Sequence, residues 1–377
     1  MAVGMNTPQP EISSQHQPPS SVPHTTPPHT TPPPRRRQAG WLGPGLLVTA
    51  AFIGPGTILM ASKAGASHGC DLLWTIVLAT FGAIVLQHSA ARLGILSGHG
   101  LGAAIRHSLR GTPWFPLIVA LVLVAIGIGN AAYQTGNING AVAGVCAISG
   151  ISDNHATLAF SVVAALVILV GRDLCLRRIL VSLVVLLSVT FLLTAMMTLP
   201  SLSAILQGLA VPMISVDHLS LIIGMIGTTI VPYNLFLHAS ASADAWTDES
   251  IDERLRRSAR DTTLSIGLGG LVTASILLTA VTAFHERGES IESLTQIGEQ
   301  LRPILGRYSH VAFCIGIIAA GLTSALTAPV ATAYAVCGCM GWETNLSNWR
   351  FRGIALTVVV IGCLCGLVWG SSPMATI

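Results

Sequence analysis

Nine continuous apolar stretches dominate this chain, at residues 41–66, 72–95, 114–148, 156–171, 179–198, 221–243, 262–284, 309–340 and 353–370. Each is near the ~20 residues that a helix needs to cross the hydrocarbon core of a bilayer. The third and eighth are long enough to tilt or to extend beyond it. None alternates with a period of two, so they read as helices rather than barrel strands. Only 9% of the residues are charged, against about 25% in a soluble domain. An all-α integral membrane protein follows, with the lipid bilayer as its surroundings. The formal net charge of +3 reflects topology and implies no nucleic-acid partner.

Arginine placement orients the spans. Arg35–Arg37 precede the first stretch, Arg106 and Arg110 follow the second, and Arg172, Arg177 and Arg178 follow the fourth. Arg254, Arg256, Arg257 and Arg260 follow the sixth, and Arg350 and Arg352 the eighth. With nine spans, all of these fall on one side. The other side holds Arg287, Arg302 and Arg307 among Glu286, Glu289, Glu292 and Glu299. The N-terminus is therefore expected in the cytoplasm, with the protein in the cell inner (plasma) membrane.

Residues 1–38 hold ten of the twenty prolines and are expected to form a disordered cytoplasmic tail. Residues 39–377 then make one transmembrane transporter domain. The eight cysteines show no metal or redox spacing, because the pairs Cys337/Cys339 and Cys363/Cys365 point to different helix faces. No cofactor is expected. No nucleophile–base constellation appears either, so the chain does not read as an enzyme.

Two spans are interrupted. The first carries Gly54-Pro55-Gly56-Thr57, and the sixth carries Ile230-Val231-Pro232-Tyr233-Asn234. Proline lacks a backbone N–H and clashes with the preceding turn, and glycine lets the chain leave helical geometry. A lone proline in a span is commonly only a kink; a matched pair in two halves points to a transporter's binding site. The two interrupted spans start on opposite sides, with five helices between their starts. The pattern is an inverted five-plus-five repeat, the first repeat covering about 41–198 and the second about 221–377. Nine spans are visible; a tenth is demanded, and Pro373–Ile377 reads as its truncated opening.

At such breaks carbonyl ends favour cations and N–H ends favour anions. Gly54, Thr57, Ile230, Val231, Tyr233 and Asn234 are the candidate substrate-binding residues, at the breaks made by Pro55, Gly56 and Pro232. Any metal would use the same positions, including the free carbonyls expected at Gly54 and Ile230. His238 follows Asn234 by one turn and reads either as a proton relay or gate, or as a packing histidine. Asn130, Tyr133, Gln134 and Asn137 form a polar stripe on the third span, either a pathway or interhelical glue. Thr323, Ser324, Thr327 and Pro329 read as structural, Lys63 as a snorkelling group, and Gln87 and His88 as packing or interfacial groups. All sixteen acidic residues lie in the tail, in loops or near span ends, with Asp244 and Asp261 closest to the membrane core. Dications are normally held by oxygens that include carboxylates, so these residues alone do not select one.

The segments Gly54–Thr57, Leu86–Gly98, Val231–Ser240 and Ala320–Thr327 resemble the Nramp family of divalent-metal transporters, a branch of the LeuT-type fold. The resemblance covers most of residues 41–370. It implies a LeuT-type secondary transporter that moves a metal ion such as manganese or magnesium by alternating access. The family's first break reads Asp-Pro-Gly-Asn, its Asp and Asn binding metal; Gly54 and Thr57 stand there. Its sixth-span Met-Pro-His becomes Val231-Pro232-Tyr233, so the thioether ligand is missing. By approximate alignment, its third-span acids become Asn130 and Tyr133. His238 matches a family histidine. Two other expectations stand beside metal transport: carriage of a small neutral, zwitterionic or anionic organic solute, and a transport-dead sensor or partner-binding protein. The oligomeric state is left open.

Overall fold

The computed structural model describes Met1, residues 43–170 and residues 174–370. The rest of the proline-rich tail and the expected opening of a tenth helix lie outside the described residues. No strand occurs among the described residues. The first apolar stretch folds as two half-helices, α1 (Pro44–Phe52) and α2 (Pro55–His68), bent by 58° at the break between them. There follow α3 (Leu73–Ser97), α4 (Leu101–Leu109), α5 (Phe115–Ser149), α6 (Asp153–Val170), α7 (Leu174–Met197) and α8 (Leu202–Ala210). The second interrupted span is α9 (Val216–Thr229) and α10 (Pro232–Ala243). The chain continues through α11 (Ile251–Ala283), α12 (Arg302–Leu305), α13 (Ser309–Met340) and α14 (Trp349–Trp369). Among the described residues, eight helices are long and apolar enough to cross a membrane, or nine with α1 and α2 as one bent span.

The breaks follow from proline. A residue before proline is driven out of the α region, and both Gly54 (ψ −178°) and Val231 (ψ 117°) are extended. The preceding half-helix must therefore end one residue earlier. Its last turn closes at Ile53 (φ −76°, ψ 68°) and Ile230 (φ −92°, ψ 70°), which share one conformation. Pro55 and Pro232 then open the next half-helix at its first position, where a missing N–H costs nothing.

The half-helices α2 and α9 run antiparallel. Thr57 meets the Thr228 carbonyl, Gly224 faces the Met60 thioether, and His68 meets His218. Helices α5 and α13 are also antiparallel: Asn130 bonds near Ala328 and Thr332, Gln134 reaches Ala325, and Gly144 faces Ile317. Helix α3 runs parallel to α10, from Gly82 beside Ile230 to Gly94 beside Ala239. These senses are what an inverted repeat requires.

Small residues set the approach distances. A Cβ on Gly94 would fall 2.1 Å from the Ala239 carbonyl oxygen, and one on Gly140 would fall 2.2 Å from the Pro55 Cβ. In a bilayer such close packing, together with interhelical hydrogen bonds, replaces the hydrophobic effect as the force between helices. The outward faces are apolar in turn; Phe81, Leu121 and Ile128 are each more than 60% exposed to what would be lipid.

Candidate functional site

Where a half-helix ends inside the bundle, its last carbonyls need partners. Three hydroxyls from other helices supply them. Ser324 Oγ on α13 donates to the Ala51 carbonyl at 3.0 Å, closing the end of α1. Tyr133 Oη on α5 donates to the Gly227 carbonyl at 2.8 Å, near the end of α9. The Thr57 hydroxyl on α2 lies against two carbonyls at once, that of Phe52 at the first break and that of Thr228, 3.4 Å away, at the second. One hydroxyl proton serves one of them at a time; the Phe52 carbonyl is the nearer, and the Thr228 carbonyl lies at the limit of a hydrogen bond.

Among the described residues, the Ala50 carbonyl has no hydrogen bond, and neither do two at the breaks themselves, those of Ile53 and Ile230. The latter two occupy equivalent places, each followed by one extended residue and a proline. The Gly54 carbonyl, expected to be free, instead accepts the Ile58 N–H at 3.2 Å. The reason is geometric: Gly54 is the N-cap of α2, and an N-cap carbonyl accepts the first bond of its helix. The unshared oxygen therefore shifts to Ile53.

The place of an acidic side chain at the first break is filled by neutral groups. A Cβ on Gly54 would lie 2.9 Å from Ser324 Oγ and 3.6 Å from Asn137 Oδ1. Asn137 itself is 8% exposed, and its Nδ2 has no partner. At the second break Tyr233 is buried and meets Tyr133 edge to face, ring centroids 5.7 Å apart. Asn234 is fully buried, and both its Oδ1 and its Nδ2 lack a partner. A carboxamide buried with donor and acceptor both unmet costs about 1–3 kcal/mol per group. One turn further along α10, His238 is also fully buried; its Nδ1 pairs with Gln87 Oε1 at 2.9 Å, and its Nε2 is unpartnered.

The third-span stripe divides. Tyr133 and Asn137 turn toward the breaks. Asn130 bonds Thr332 and the Ala328 carbonyl, and Gln134 bonds the Ala325 carbonyl at 3.2 Å, so both tie α5 to α13. Val231 is buried, Ile230 half-buried and Pro232 exposed. Asp261, one of the two acids nearest the membrane core, accepts the Gly45 N–H at 2.7 Å and caps the start of α1. His88 bonds Thr263 at 3.0 Å at the bundle surface. Sequence reasoning placed Ser324 among structural residues and did not single out Ile53. Aligning the two breaks on their prolines, Ile53-Gly54-Pro55 over Ile230-Val231-Pro232, is the signal that finds the latter.

Residues 45–377 match the sequence model described as natural resistance-associated macrophage protein-like, Nramp. A divalent metal cation transporter, MntH, from Erwinia tasmaniensis is 27% identical over 302 residues, covering 79% of this chain and 72% of the relative. Divalent metal cation transporter MntH 1 of Pseudomonas aeruginosa is 28% identical over 365 residues, covering 93% and 81%. Among solved structures, a manganese transporter of Eremococcus coleocola matches with a TM-score of 0.68 at 23% identity, over 87% of this chain and 71% of that one. The nucleobase-cation-symport-1 family transporter Mhp1 matches at 0.58 and 14% identity, over 87% and 72%. At these identities the structures establish the fold, which is of the LeuT type.

Proposed function

The chain belongs to the Nramp family, and from that premise we propose that it is a secondary transporter that moves a divalent cation such as manganese or magnesium across the membrane by alternating access. As a member of that family it is an integral membrane transporter and not an enzyme. The observation that carries the reading is the pair of facing breaks, joined by Thr57, with the orphaned carboxamide of Asn234 beside the second. The oxygens on offer are the Thr57 and Tyr233 hydroxyls, Asn234 Oδ1, and the carbonyls of Ile53 and Ile230. Gly54 and Val231 leave the first and second breaks without an acidic or thioether ligand.

A cation held by neutral oxygens alone keeps much of its hydration shell. Without a soft sulfur ligand the set has a weaker preference for the softer transition metals. The basic loops favour insertion in the inner (plasma) membrane with the N-terminus cytoplasmic. His238, with Nε2 unpartnered one turn from Asn234, is the candidate proton or gating group. Tyr133 and Asn137 extend that polar surface toward the breaks.

One observation favours a second reading, a small neutral, zwitterionic or anionic organic solute: Asn234 offers both an unmet donor and an unmet acceptor. Uptake into proteoliposomes separates the two. The metal reading expects saturable manganese or magnesium uptake that is lost in the double variant Thr57→Ala, Tyr233→Ala. No uptake of either ion by a folded protein, or metal uptake untouched by the double variant, overturns it.

A further inference from the structure

The ends of α2 and α9 remote from the basic loops carry a histidine pair that the transport reading leaves unused. His68 is the last residue of α2, and His218 lies in the first turn of α9. Their rings meet edge to face with centroids 4.3 Å apart, and neither is fully buried. His218 Nδ1 lies 3.3 Å from the Met213 carbonyl. A carbonyl only accepts, so this contact assigns the ring proton to Nδ1 and leaves the Nε2 lone pair free. That is how metal-ligating histidines are normally presented. Asp71, Asp217 and His285 lie close enough to act on the His68 ring electrostatically. His285 is held in the same way, its Nδ1 3.1 Å from the Ala66 carbonyl.

We propose that His68 and His218 form a two-histidine site for a divalent cation of the zinc class, bridging α2 to α9. Imidazole suits zinc, copper and nickel better than the harder ions. Two imidazole nitrogens bound at about 2.0–2.1 Å in tetrahedral geometry sit about 3.4 Å apart, so the site needs the His68 ring to turn while His218 keeps its bond to the Met213 carbonyl. Among the described residues no three ligand side chains converge on one point, so water completes the shell and the site is of modest affinity. Its consequence rests on the alternating-access reading. The half-helices α2 and α9 pack together from Thr57 and Thr228 out to the histidines, and an ion bridging their outer ends keeps them from parting.

The test is equilibrium zinc binding by the full chain in detergent, with zinc alone as the probe. His68→Ala and His218→Ala are each expected to weaken one zinc site at least about tenfold, while His218→Cys, which supplies a thiolate, retains it. Asn234→Leu, which alters the helix breaks, is expected to leave the zinc site lost in His68→Ala and His218→Ala in place, which separates this pair from the breaks. His16, His24 and His29 of the tail contribute equally to every variant. Wild-type zinc affinity in both alanine variants, eluting as folded protein, overturns the proposal, as does loss of the site in Asn234→Leu. Failure of metal uptake leaves this binding result intact.

Discussion

The Thr57 hydroxyl lies 3.4 Å from the Thr228 carbonyl oxygen, so a side chain of the first broken span reaches the last turn before the second break. The same hydroxyl also touches the Phe52 carbonyl. A single side chain thus stands against the carbonyl ends of both broken spans.

Thr57→Val keeps the shape of the side chain and removes the hydroxyl proton. It is expected to lower stability by about 1 kcal/mol, the ordinary net value of one hydrogen bond, and to reduce uptake, whereas Thr57→Ser leaves both near wild type. Thermal unfolding in detergent beside an uptake assay checks this.

Restoring the family's acid at the first break is expected to fail by itself. In Gly54→Asp the new Cβ arrives 2.9 Å from Ser324 Oγ, tighter than a real contact. The single variant should unfold at lower temperature, and adding Ser324→Ala, which removes the clashing Oγ but also its bond to the Ala51 carbonyl, should recover part of the loss. The double variant should also bind manganese more tightly than wild type, because it brings a carboxylate to the break. Titration with manganese measures it.

Asn234→Leu is expected to raise stability while reducing transport. The carboxamide is fully buried with neither polar atom bonded, and an apolar group of similar size removes about 1–3 kcal/mol of unmet polarity. On the function proposed above, that cost is offset by what the side chain binds. A lower unfolding temperature in this variant would contradict that account.

Asn130→Leu should do the reverse. Its bond to Thr332 joins α5 to α13, and interhelical bonds of this kind average about 0.6 kcal/mol. Modest destabilisation with an unchanged KM is expected; a raised KM would put this side chain in the substrate path.

The spans were legible because a bilayer demands long, continuous apolar segments. The eighth stretch, read as 309–340, is the helix Ser309–Met340. Helix α11 begins well before its apolar stretch, at Ile251, because a capping box between Ser250 and Glu253 starts a polar extension that hydropathy cannot register. The breaks were legible because proline dictates them locally. The hydroxyls that close the half-helices were not, since Ser324 and Ala51 are 273 residues apart in sequence and meet only through packing. Nor could spacing alone apportion the third-span stripe. Helix α5 packs against α13 and also faces the breaks, and the i, i+3, i+4, i+7 pattern does not say which neighbour each side chain meets.

The central claim is that a site free of carboxylates, lying between two helix breaks, carries a divalent cation. Concentration-dependent uptake of manganese and magnesium into proteoliposomes, wild type beside Asn234→Leu, tests it most directly. The account predicts saturable uptake of at least one ion by the wild type and its loss in the more stable variant. Equal uptake by the two proteins, or none above empty liposomes from folded wild type, would contradict it.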